Sequence, residues 1–389
     1  MIRVRLLVKG IVQGVGFRPF VYKLAQSLEL KGFVHNHSQG VTIELEGEQN
    51  KIEEFEAFLQ SSLPPLARID FIEKRQIPFQ NSKEFTIITS QNNTSKTTLI
   101  PADTKVCKEC LEDIFNPKSR FFGYFATNCT NCGPRYSIIK TVPYDRVNTS
   151  MSDFKMCKEC EAEYNNPNSR RYHAQPIACS KCGPKLELKI KNEKLKIEDN
   201  IYKQVATLIK KGKIGAIKGI GGFHIVCDAT NSDAIKRLRA YKNRPTKPFA
   251  IMCKSLEQIR SFAKVSQKEQ ELLESKEAPI VILSKKPKAE SLKLSSLVAP
   301  NINRIGCMLP YTPLHFLLFK HLDNPIVATS ANLGGEPIIT NIKELEEKLP
   351  FLDFIVDFNR DIINAIDDSV VQVVNEDIQI LRLARGFAP

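Results

Sequence analysis

The chain has 389 residues, a hydrophobic content of 42%, a charged content of 25% and a formal net charge of +13. This is the composition of a globular protein and excludes a disordered chain, while the length favours two or three domains over one. No apolar run approaches the ~18 residues of a membrane span, and the first residues lack the apolar stretch of a signal peptide. We therefore expect a cytoplasmic, α/β multidomain protein without a membrane partner.

The first 90 residues have the pattern of a ferredoxin-like fold. Alternating residues at 2–9 predict a strand, a glycine-rich loop follows, and an amphipathic helix is predicted to begin at Arg18. The remaining elements predicted from periodicity are strands over 31–38 and 41–47, a helix near 49–61, and strands near 69–76 and 84–89. That order is βαββαβ, a split βαβ unit.

The loop between the first strand and the first helix has the features of an anion site. Gly14 and Gly16 allow backbone N–H groups to approach a ligand, and the N-terminus of the helix adds positive potential. Arg18 can donate two hydrogen bonds to one phosphate group. A loop of this kind is also compatible with a simple tight turn, so the loop alone does not decide.

The stretches "GIVQGVGFR" and "GFVHN" resemble the acylphosphatase signature, and the resemblance covers residues 1–90. It implies a loop that holds an acyl phosphate, with Arg18 as the clamp and Asn36 as the residue that positions the attacking water. His35 and His37 flank Asn36 and, by strand alternation, are predicted to face the opposite side. The phosphate-binding positions implied by the resemblance are Gln13, Gly14, Val15, Gly16, Phe17 and Arg18.

Residues 91–190 contain one cysteine frame twice, at an offset of 50 residues. The copies are "CKECLEDIFNPKSRFFGYFATNCTNCGP" from Cys107 and "CKECEAEYNNPNSRRYHAQPIACSKCGP" from Cys157, each with eighteen residues between two CxxC pairs. A CxxC pair presents two thiolates to one tetrahedral zinc ion, and cytosolic thiols stay reduced. We therefore predict two structural Zn²⁺ ions rather than disulfides.

The simple assignment gives each frame its own ion, although an interleaved arrangement is compatible with the spacing. His173, inside the second frame, is either a spare ligand or a residue of a surface or site. The predicted ligands are Cys107, Cys110, Cys129 and Cys132 for one ion and Cys157, Cys160, Cys179 and Cys182 for the other.

After a charged segment over 185–200, predicted to be a hairpin or linker, residues 191–389 mix helical and strand patterns. Helices are predicted over 201–211 and near 232–241, and Cys227, Cys253 and Cys307 are predicted to be core thiols. "YKNRPTKPFAIM" and "IVATSANLGGEPI", in this order, resemble the YrdC domain, a twisted α/β fold with a basic ATP-binding cavity. The matching ATP-binding positions are Lys242, Arg244, Lys247, Ser330 and Asn332.

The succession of an acylphosphatase unit, a doubled zinc frame and a YrdC-like domain resembles the HypF carbamoyltransferases of nickel–iron hydrogenase maturation. We therefore expect domains at 1–90, 91–190 and 191–389. The resemblance implies hydrolysis of carbamoyl phosphate, formation of carbamoyl-adenylate from ATP with Mg²⁺, and transfer to the C-terminal cysteine of a HypE-type protein. That family continues into a transferase domain beyond the point where "RLARGFAP" ends this sequence, so either the chain is a fragment or transfer takes place elsewhere.

Two other functions remain open from the sequence. The YrdC-like part alone fits a threonylcarbamoyl-adenylate synthase acting in tRNA modification, but the acylphosphatase unit argues against it. The CxxC pairs and the basic charge fit a zinc-dependent nucleic-acid-binding protein, for which "NPNSRRYH" is the one modest basic candidate. We expect small-molecule phosphates, not nucleic acid, to be the partners.

Overall fold

The structure is a computed structural model that describes residues 1–90, 97–191, 200–286 and 294–389. The chain divides into two compact units, the first comprising 1–102 and 128–183 and the second comprising 103–127 and 184–389. This division does not test the three domains predicted at 1–90, 91–190 and 191–389, which remain a prediction.

The described residues form sixteen strands and ten α-helices, numbered here in chain order. The strands are β1 Ile2–Ile11, β2 Lys31–His37, β3 Gly40–Gly47, β4 Arg68–Ile77, β5 Phe85–Ile87, β6 Leu186–Ile190, β7 Gly215–Lys218, β8 Phe223–Asp228, β9 Ile251–Met252, β10 Ala263–Lys264, β11 Ile280–Lys285, β12 Arg304–Met308, β13 Ile326–Ser330, β14 Phe354–Phe358, β15 Val370–Val374 and β16 Asp377–Arg382. The helices are α1 Phe17–Ser27, α2 Gln49–Ser61, α3 Lys108–Phe115, α4 Lys158–Asn165, α5 Ile201–Lys210, α6 Ser232–Tyr241, α7 Leu256–Arg260, α8 Gln267–Glu274, α9 Pro313–Phe319 and α10 Ile342–Lys348.

The sheet of the first unit has the order β4-β1-β3-β2-β5. Its pairs are antiparallel except β2 with β5, which run parallel. Every second residue of β1 is buried from Val4 through Leu6 to Val8, because successive side chains of a strand alternate between the two faces. The predicted ferredoxin-like βαββαβ order is confirmed.

The helices α1 and α2 bury one apolar side each. In α2 the buried residues are Ile52, Phe55 and Leu59, a spacing of three and four that places them on one face of a helix. Burying a side chain of this size stabilises the fold by roughly 1.5–3 kcal/mol. The helices and the inner sheet face thus form one apolar core, from which the glycine-rich loop projects.

The remainder of the first unit, residues 128–183, has little regular structure apart from α4. Polar contacts hold its turns together, with Arg146 at their centre. Arg146 Nη1 donates to the carbonyls of Gln175 and Ile177 at 2.7 and 2.8 Å, and Nη2 donates to that of Phe154 at 2.7 Å. These bonds satisfy backbone carbonyls that have no partner in a helix or strand, and apolar side chains such as Ile138, Met151 and Ile177 are buried in the same segment.

The second unit is built on a mixed sheet of eleven strands within the described residues. The strand order is β16-β15-β11-β12-β9-β13-β8-β7-β14-β6, with β10 paired to β11. Helices pack on it around a second apolar core that includes Cys227, Cys253 and Cys307, so the three predicted core thiols are buried. The predicted mixed α/β fold of this region is confirmed.

One predicted segment is described only in part. Residues 186–190, predicted as part of a hairpin or linker, form β6, which pairs antiparallel with β14. The strand forms because it hydrogen-bonds to β14, which is distant in the sequence. The local residue pattern does not indicate that pairing. The rest of that prediction, 192–199, lies outside the described residues.

Apart from α3, the helices of the second unit begin at side-chain caps. Asn231 accepts from the backbone N–H of Ala234 at the start of α6, and Thr312 does the same for His315 at the start of α9. Such caps satisfy N–H groups that have no partner within the helix. The α6 cap fixes the start of the helix that leads to Lys242. Within the residues described, no helix combines the length and apolarity that a bilayer crossing requires.

Candidate active sites and metal frames

The loop between β1 and α1 forms the floor of a pocket in the first unit. Gly14 and Gly16 have φ values of 70° and 76°, a left-handed conformation that side chains other than glycine adopt with strain. A Cβ at Gly14 would also lie 3.0 Å from the ring of Tyr144. The helix begins at Phe17 rather than at Arg18, so the arginine is its second residue.

The side chain of Gln13 fixes the loop and does not face a ligand. Its Nε2 donates to the carbonyls of His37 and Gly40, both at 2.7 Å, and its Oε1 accepts from the N–H of Tyr144 at 2.8 Å. Val15 and Phe17 are buried in the core of the ferredoxin-like part. From these three positions, only backbone atoms are therefore available to a phosphate.

Arg18 lies at the wall of this pocket and is almost fully buried. Its Nη2 donates to Asp145 Oδ1 at 2.7 Å, and its Nη1 donates to Ser90 Oγ at 3.4 Å. The amide of Asn36, oriented with its oxygen toward the guanidinium, accepts from Arg18 Nη2 and Nε at 3.2 and 3.3 Å. The structure thus brings the two predicted catalytic residues together and adds a carboxylate.

The opposite wall of the pocket comes from residues 130–176, which sequence reasoning did not connect with the first site. The pocket is narrow, with a cavity volume of about 20 Å³. The lining residues from this segment are Thr130, Arg135, Tyr144, His173, Ala174, Gln175 and Pro176. The cradle is therefore covered, whereas the ferredoxin-like part alone would leave it open.

Arg135 is part of that wall but is committed to backbone groups. Its Nε donates to the carbonyl of Gly14. Its two Nη atoms donate to the carbonyls of Cys132, Pro134, Cys129 and Thr130 at 2.8–2.9 Å. A guanidinium has five N–H groups, so all of those on Arg135 are used and the residue holds the loop rather than a phosphate.

His173 has a left-handed backbone conformation, with φ at 54°, which is uncommon among residues other than glycine. Its ring packs between those of Tyr164 and Tyr172, at centroid distances of 4.9 and 4.6 Å. Burial, with a smaller contribution from the charge of Arg18, lowers the pKa of His173 to about 4. The imidazole is therefore neutral near pH 7.

His35 and His37 lie on the other side of β2 from Asn36, as the alternation predicted. Both line a separate depression on the sheet, with Arg5 and Glu44 among its other residues. Burial lowers the pKa of each histidine. They take no part in the pocket around Arg18.

The eight cysteines of the two frames form two groups of four, and each frame supplies one whole group, as the simple assignment predicted. In each group one sulfur atom per residue lies within 4.8 Å of the others. In the second group the Sγ–Sγ distances are 3.7 Å for Cys157–Cys179, 3.5 Å for Cys160–Cys182 and 3.9 Å for Cys179–Cys182. Four thiolates around a tetrahedral zinc at ~2.3 Å stand roughly 3.8 Å apart, so the donor set fits zinc. His173 belongs to neither group.

The predicted ATP-binding residues of the second unit also come together. Lys242 caps the end of α6, and its Nζ donates to the carbonyls of Ser330 and Asn332 at 2.9 and 2.8 Å and to Asn332 Oδ1 at 3.3 Å. Ser330 Oγ donates to the same Oδ1 at 3.2 Å. The lysine therefore ties the end of β13 to the end of α6.

Arg244 and Lys247 extend this cluster. Arg244 donates from Nη1 to Thr329 Oγ1 at 3.3 Å and from Nε to the carbonyl of Lys247 at 3.1 Å. Burial, then the charge of Arg244, lowers the pKa of Lys242 to about 8, and burial lowers that of Arg244 to about 10. Lys247 is exposed. Three cations thus converge with no carboxylate bonded to any of them in the described residues, which suits a polyphosphate.

A buried charged network lies elsewhere in the core of the second unit, and no sequence pattern indicated it. Asp368 accepts from Arg385 Nε at 2.7 Å and pairs with His224 Nε2 at 2.8 Å. Burial opposes ionisation, but Arg385 and His224 hold the pKa of Asp368 well below its usual range. The guanidinium of Arg385 also stacks 3.7 Å from the ring of Tyr311. Its contacts are those of a structural network.

Three family models match the chain. The acylphosphatase model matches residues 4–87, the model described as "HypF finger" matches 106–139 and 156–189, and the Sua5/YciO/YrdC model, described as "Telomere recombination", matches 207–384.

Curated relatives match over the whole length of the chain. The carbamoyltransferase HypF of Synechocystis is 47% identical over 99% of the chain, and that of Rhizobium leguminosarum is 46% identical over 100%. The probable carbamoyltransferase HypF of Methanocaldococcus jannaschii is 45% identical over 100%. The chain spans 50% of the length of each of these relatives.

Solved structures give the same result. The crystal structure of a full-length HypF in the phosphate- and nucleotide-bound form superposes with a TM-score of 0.96 at 44% identity. The structure of HypF from T. kodakarensis superposes with a TM-score of 0.91 at 43% identity. Both matches cover 100% of this chain and 50% of the solved chain. Neither of the two alternative functions is favoured by these relatives.

Proposed function

This chain belongs to the HypF carbamoyltransferase family, whose curated members are about twice its length, and we propose that it carries the first two reactions of such an enzyme. The first is hydrolysis of carbamoyl phosphate to carbamate and phosphate at the Arg18 pocket. The second is formation of carbamoyl-adenylate from carbamate and ATP at the Lys242 cluster. The observation that supports this best is the presence of both sites in one chain, each with its predicted residues in contact.

In the first reaction, Arg18 and the backbone of 13–18 bind the phosphoryl group. Water attacks phosphorus, the bond between phosphorus and the bridging oxygen breaks, and carbamate leaves with the electron pair. Asn36 orients the water, since its amide lies next to the guanidinium that holds the phosphate. The bond from Arg18 to Asp145 is exchanged for one to phosphate, so Asp145 competes with the substrate.

In the second reaction, a carbamate oxygen attacks the α-phosphorus of ATP and displaces pyrophosphate. Lys242, Arg244 and Lys247 neutralise phosphate charge as it develops, while Ser330 and Asn332 fix the nucleotide through hydroxyl and amide groups. Lys242 gives up carbonyl partners to do so. Mg²⁺, if bound with ATP, would supply further neutralisation of the phosphate charge.

We propose structural Zn²⁺ in both cysteine frames. Four thiolates close the coordination sphere and leave no position for a substrate. The ions therefore stabilise the turns that cover the first site and take no part in chemistry. Reduced thiols fit a cytoplasmic location, where a HypE-type protein would accept the carbamoyl group on its C-terminal cysteine.

The decisive experiment asks whether carbamoyl phosphate stimulates exchange of radiolabelled pyrophosphate into ATP by the purified chain. Stimulation is expected, because hydrolysis at the first site supplies the carbamate that the second site adenylates. Threonine with bicarbonate in place of carbamoyl phosphate should give no stimulation. Exchange driven by threonine and bicarbonate alone would contradict the proposal and favour a threonylcarbamoyl-adenylate synthase.

A further inference from the structure

The two cysteine frames share one backbone feature but differ in the residue that carries it. At the same position of the repeat, Gly123 and His173 have φ values of 66° and 54°. The N–H of Gly123 donates to the carbonyl of Ile114 at 2.9 Å, and that of His173 donates to the equivalent carbonyl of Tyr164 at 2.9 Å. The turn is therefore the same in both frames, and only the second has a side chain on it.

A left-handed backbone conformation favours glycine, so the histidine is the disfavoured choice for this turn. Strained residues of this kind concentrate at functional sites. The first frame shows that glycine satisfies the fold at this position. A histidine there calls for a role that its side chain supplies.

His173 lines the pocket that contains Arg18 and Asn36, and the charges of Arg18 and Asp145 act on its imidazole. Tyr164 and Tyr172 hold the ring from two sides. Among the described residues, neither ring nitrogen makes a hydrogen bond, although the backbone carbonyl accepts from Gln175 Nε2 at 2.8 Å. A fixed, unpartnered imidazole therefore borders the space where the substrate would lie.

The other polar groups of this wall already have partners. Arg135 is saturated by carbonyls. Gln175 Oε1 accepts from the N–H of Arg146 at 2.8 Å and from Tyr164 Oη at 3.1 Å. Asp145 is bonded to Arg18. His173 differs from these residues in that neither of its side-chain nitrogens has a hydrogen-bond partner among the described residues.

We propose that the unprotonated ring nitrogen of His173 accepts a hydrogen bond from the amino group of carbamoyl phosphate, so that the second zinc frame selects the carbamoyl group. The phosphoryl end binds Arg18 and the loop, and the acyl end faces the histidine. Neutrality of the ring, which burial imposes, preserves this acceptor at physiological pH. The inference rests on the proposed hydrolysis of carbamoyl phosphate.

Acetyl phosphate provides the discriminating probe, because it has the carbonyl and phosphoryl groups of carbamoyl phosphate but a methyl group in place of the amino group. The variant His173→Gly restores the residue of the first frame and should fold at least as well as the native chain. We expect its ratio of kcat/KM for carbamoyl over acetyl phosphate to fall about tenfold, the effect of one lost hydrogen bond. The inhibition constant of inorganic phosphate, which reports on Arg18, should stay within about twofold.

A second variant, His173→Asn, guards against a purely structural explanation. Asparagine tolerates the left-handed conformation and offers a carbonyl acceptor, so it should recover part of the ratio. An unchanged ratio in His173→Gly, or an equal fall for both substrates, would overturn the inference while leaving the proposed function intact. If the native chain hydrolyses no carbamoyl phosphate, the proposed function fails first and the inference falls with it.

Discussion

Arg18 of the first site is bonded to a carboxylate, whereas Lys242 and Arg244 of the second site are bonded to neutral backbone and side-chain oxygens. The first site therefore holds a neutralised cation, and an incoming phosphate has to displace an anion. At the second site no carboxylate is bonded to Lys242 or Arg244 among the described residues, and burial, with a smaller contribution from neighbouring positive charges, lowers the pKa values of both. Under the proposed function, we therefore expect the acyl phosphate to bind the first site in competition with Asp145, and ATP to be attracted to the second site by net positive charge.

The largest expected effect comes from breaking the second zinc frame, which covers only the first site. Cys160→Ser should remove one zinc ion and loosen the turns that carry His173 and Gln175, because structural zinc contributes folding energy. We expect loss of carbamoyl phosphate hydrolysis together with new protease cleavage between residues 128 and 183. Elemental analysis should show about one zinc ion fewer per chain.

The buried thiol Cys227 supplies the matched control for this change. Cys227→Ser should leave zinc content and hydrolysis unchanged, since Cys227 lies in the core of the second unit. Full zinc content in Cys160→Ser would show that the second frame does not bind metal as proposed.

Removing the clamp of the first site should have the next largest effect. Arg18→Ala should lower carbamoyl phosphate hydrolysis by ~10²–10³, the usual cost of losing a preorganised charge. Pyrophosphate exchange driven by carbamate, supplied from ammonium and bicarbonate, should persist because its residues belong to the other unit. Hydrolysis at the native rate in this variant would remove the acylphosphatase assignment.

A substitution in the second site should affect adenylation without affecting hydrolysis at the first site. Lys242→Ala should lower pyrophosphate exchange by about 10² and leave carbamoyl phosphate hydrolysis unchanged. Lys236, exposed on α6, gives a control in which the same charge is lost outside the cluster. Equal losses in Lys236→Ala and Lys242→Ala would mean that general charge, not the cluster, binds ATP.

The competition at the first site can be tested by removing the competing anion. Asp145→Asn keeps the shape but not the charge, so phosphate no longer displaces a carboxylate from Arg18. We expect the dissociation constant of inorganic phosphate, measured by calorimetry, to fall about tenfold or somewhat more. Asp153→Asn, an exposed residue of the same unit, should have no effect. Unchanged or weaker binding in Asp145→Asn would show that the ion pair does not oppose phosphate.

The smallest expected effect is a dependence on pH confined to the second site. Lys242, with its pKa at about 8, is charged below that pH and loses its proton above it. The KM for ATP should therefore rise by up to about tenfold between pH 7 and pH 9. Lys242→Arg should flatten that rise, because arginine keeps its proton. A flat profile in the native chain would contradict the lowered pKa.

The sequence predicted the parts of the molecule that depend on local pattern. Alternation in β1 and the positions of Gly14 and Gly16 follow from strand and turn geometry, and the zinc groups follow from the CxxC spacing. The wall of the first site does not, since Asp145 meets Arg18 across 127 residues of chain. The contact between Lys242 and Ser330 spans 88 residues, and only the family resemblance indicated it.

A residue-by-residue comparison of the two cysteine frames gives one indication that His173 has a particular role. The alignment at an offset of 50 places His173 opposite Gly123, which marks a turn where a side chain is disfavoured. Without the structure, that mismatch does not show that the imidazole faces the phosphate pocket. The pairing of β6 with β14 was not predicted for a related reason, because the two strands lie more than 160 residues apart in the chain.

The single guanidinium of Arg135 bonds the carbonyl of Gly14 and those of Cys129 and Cys132 at the same time. A displacement of the turn that carries Cys129 and Cys132 would therefore act on the phosphate loop through these hydrogen bonds. If occupancy of the first cysteine frame by zinc strengthens phosphate binding by some factor, thermodynamic linkage requires that phosphate strengthens zinc binding by the same factor. Chelator titrations of this chain should consequently depend on phosphate concentration.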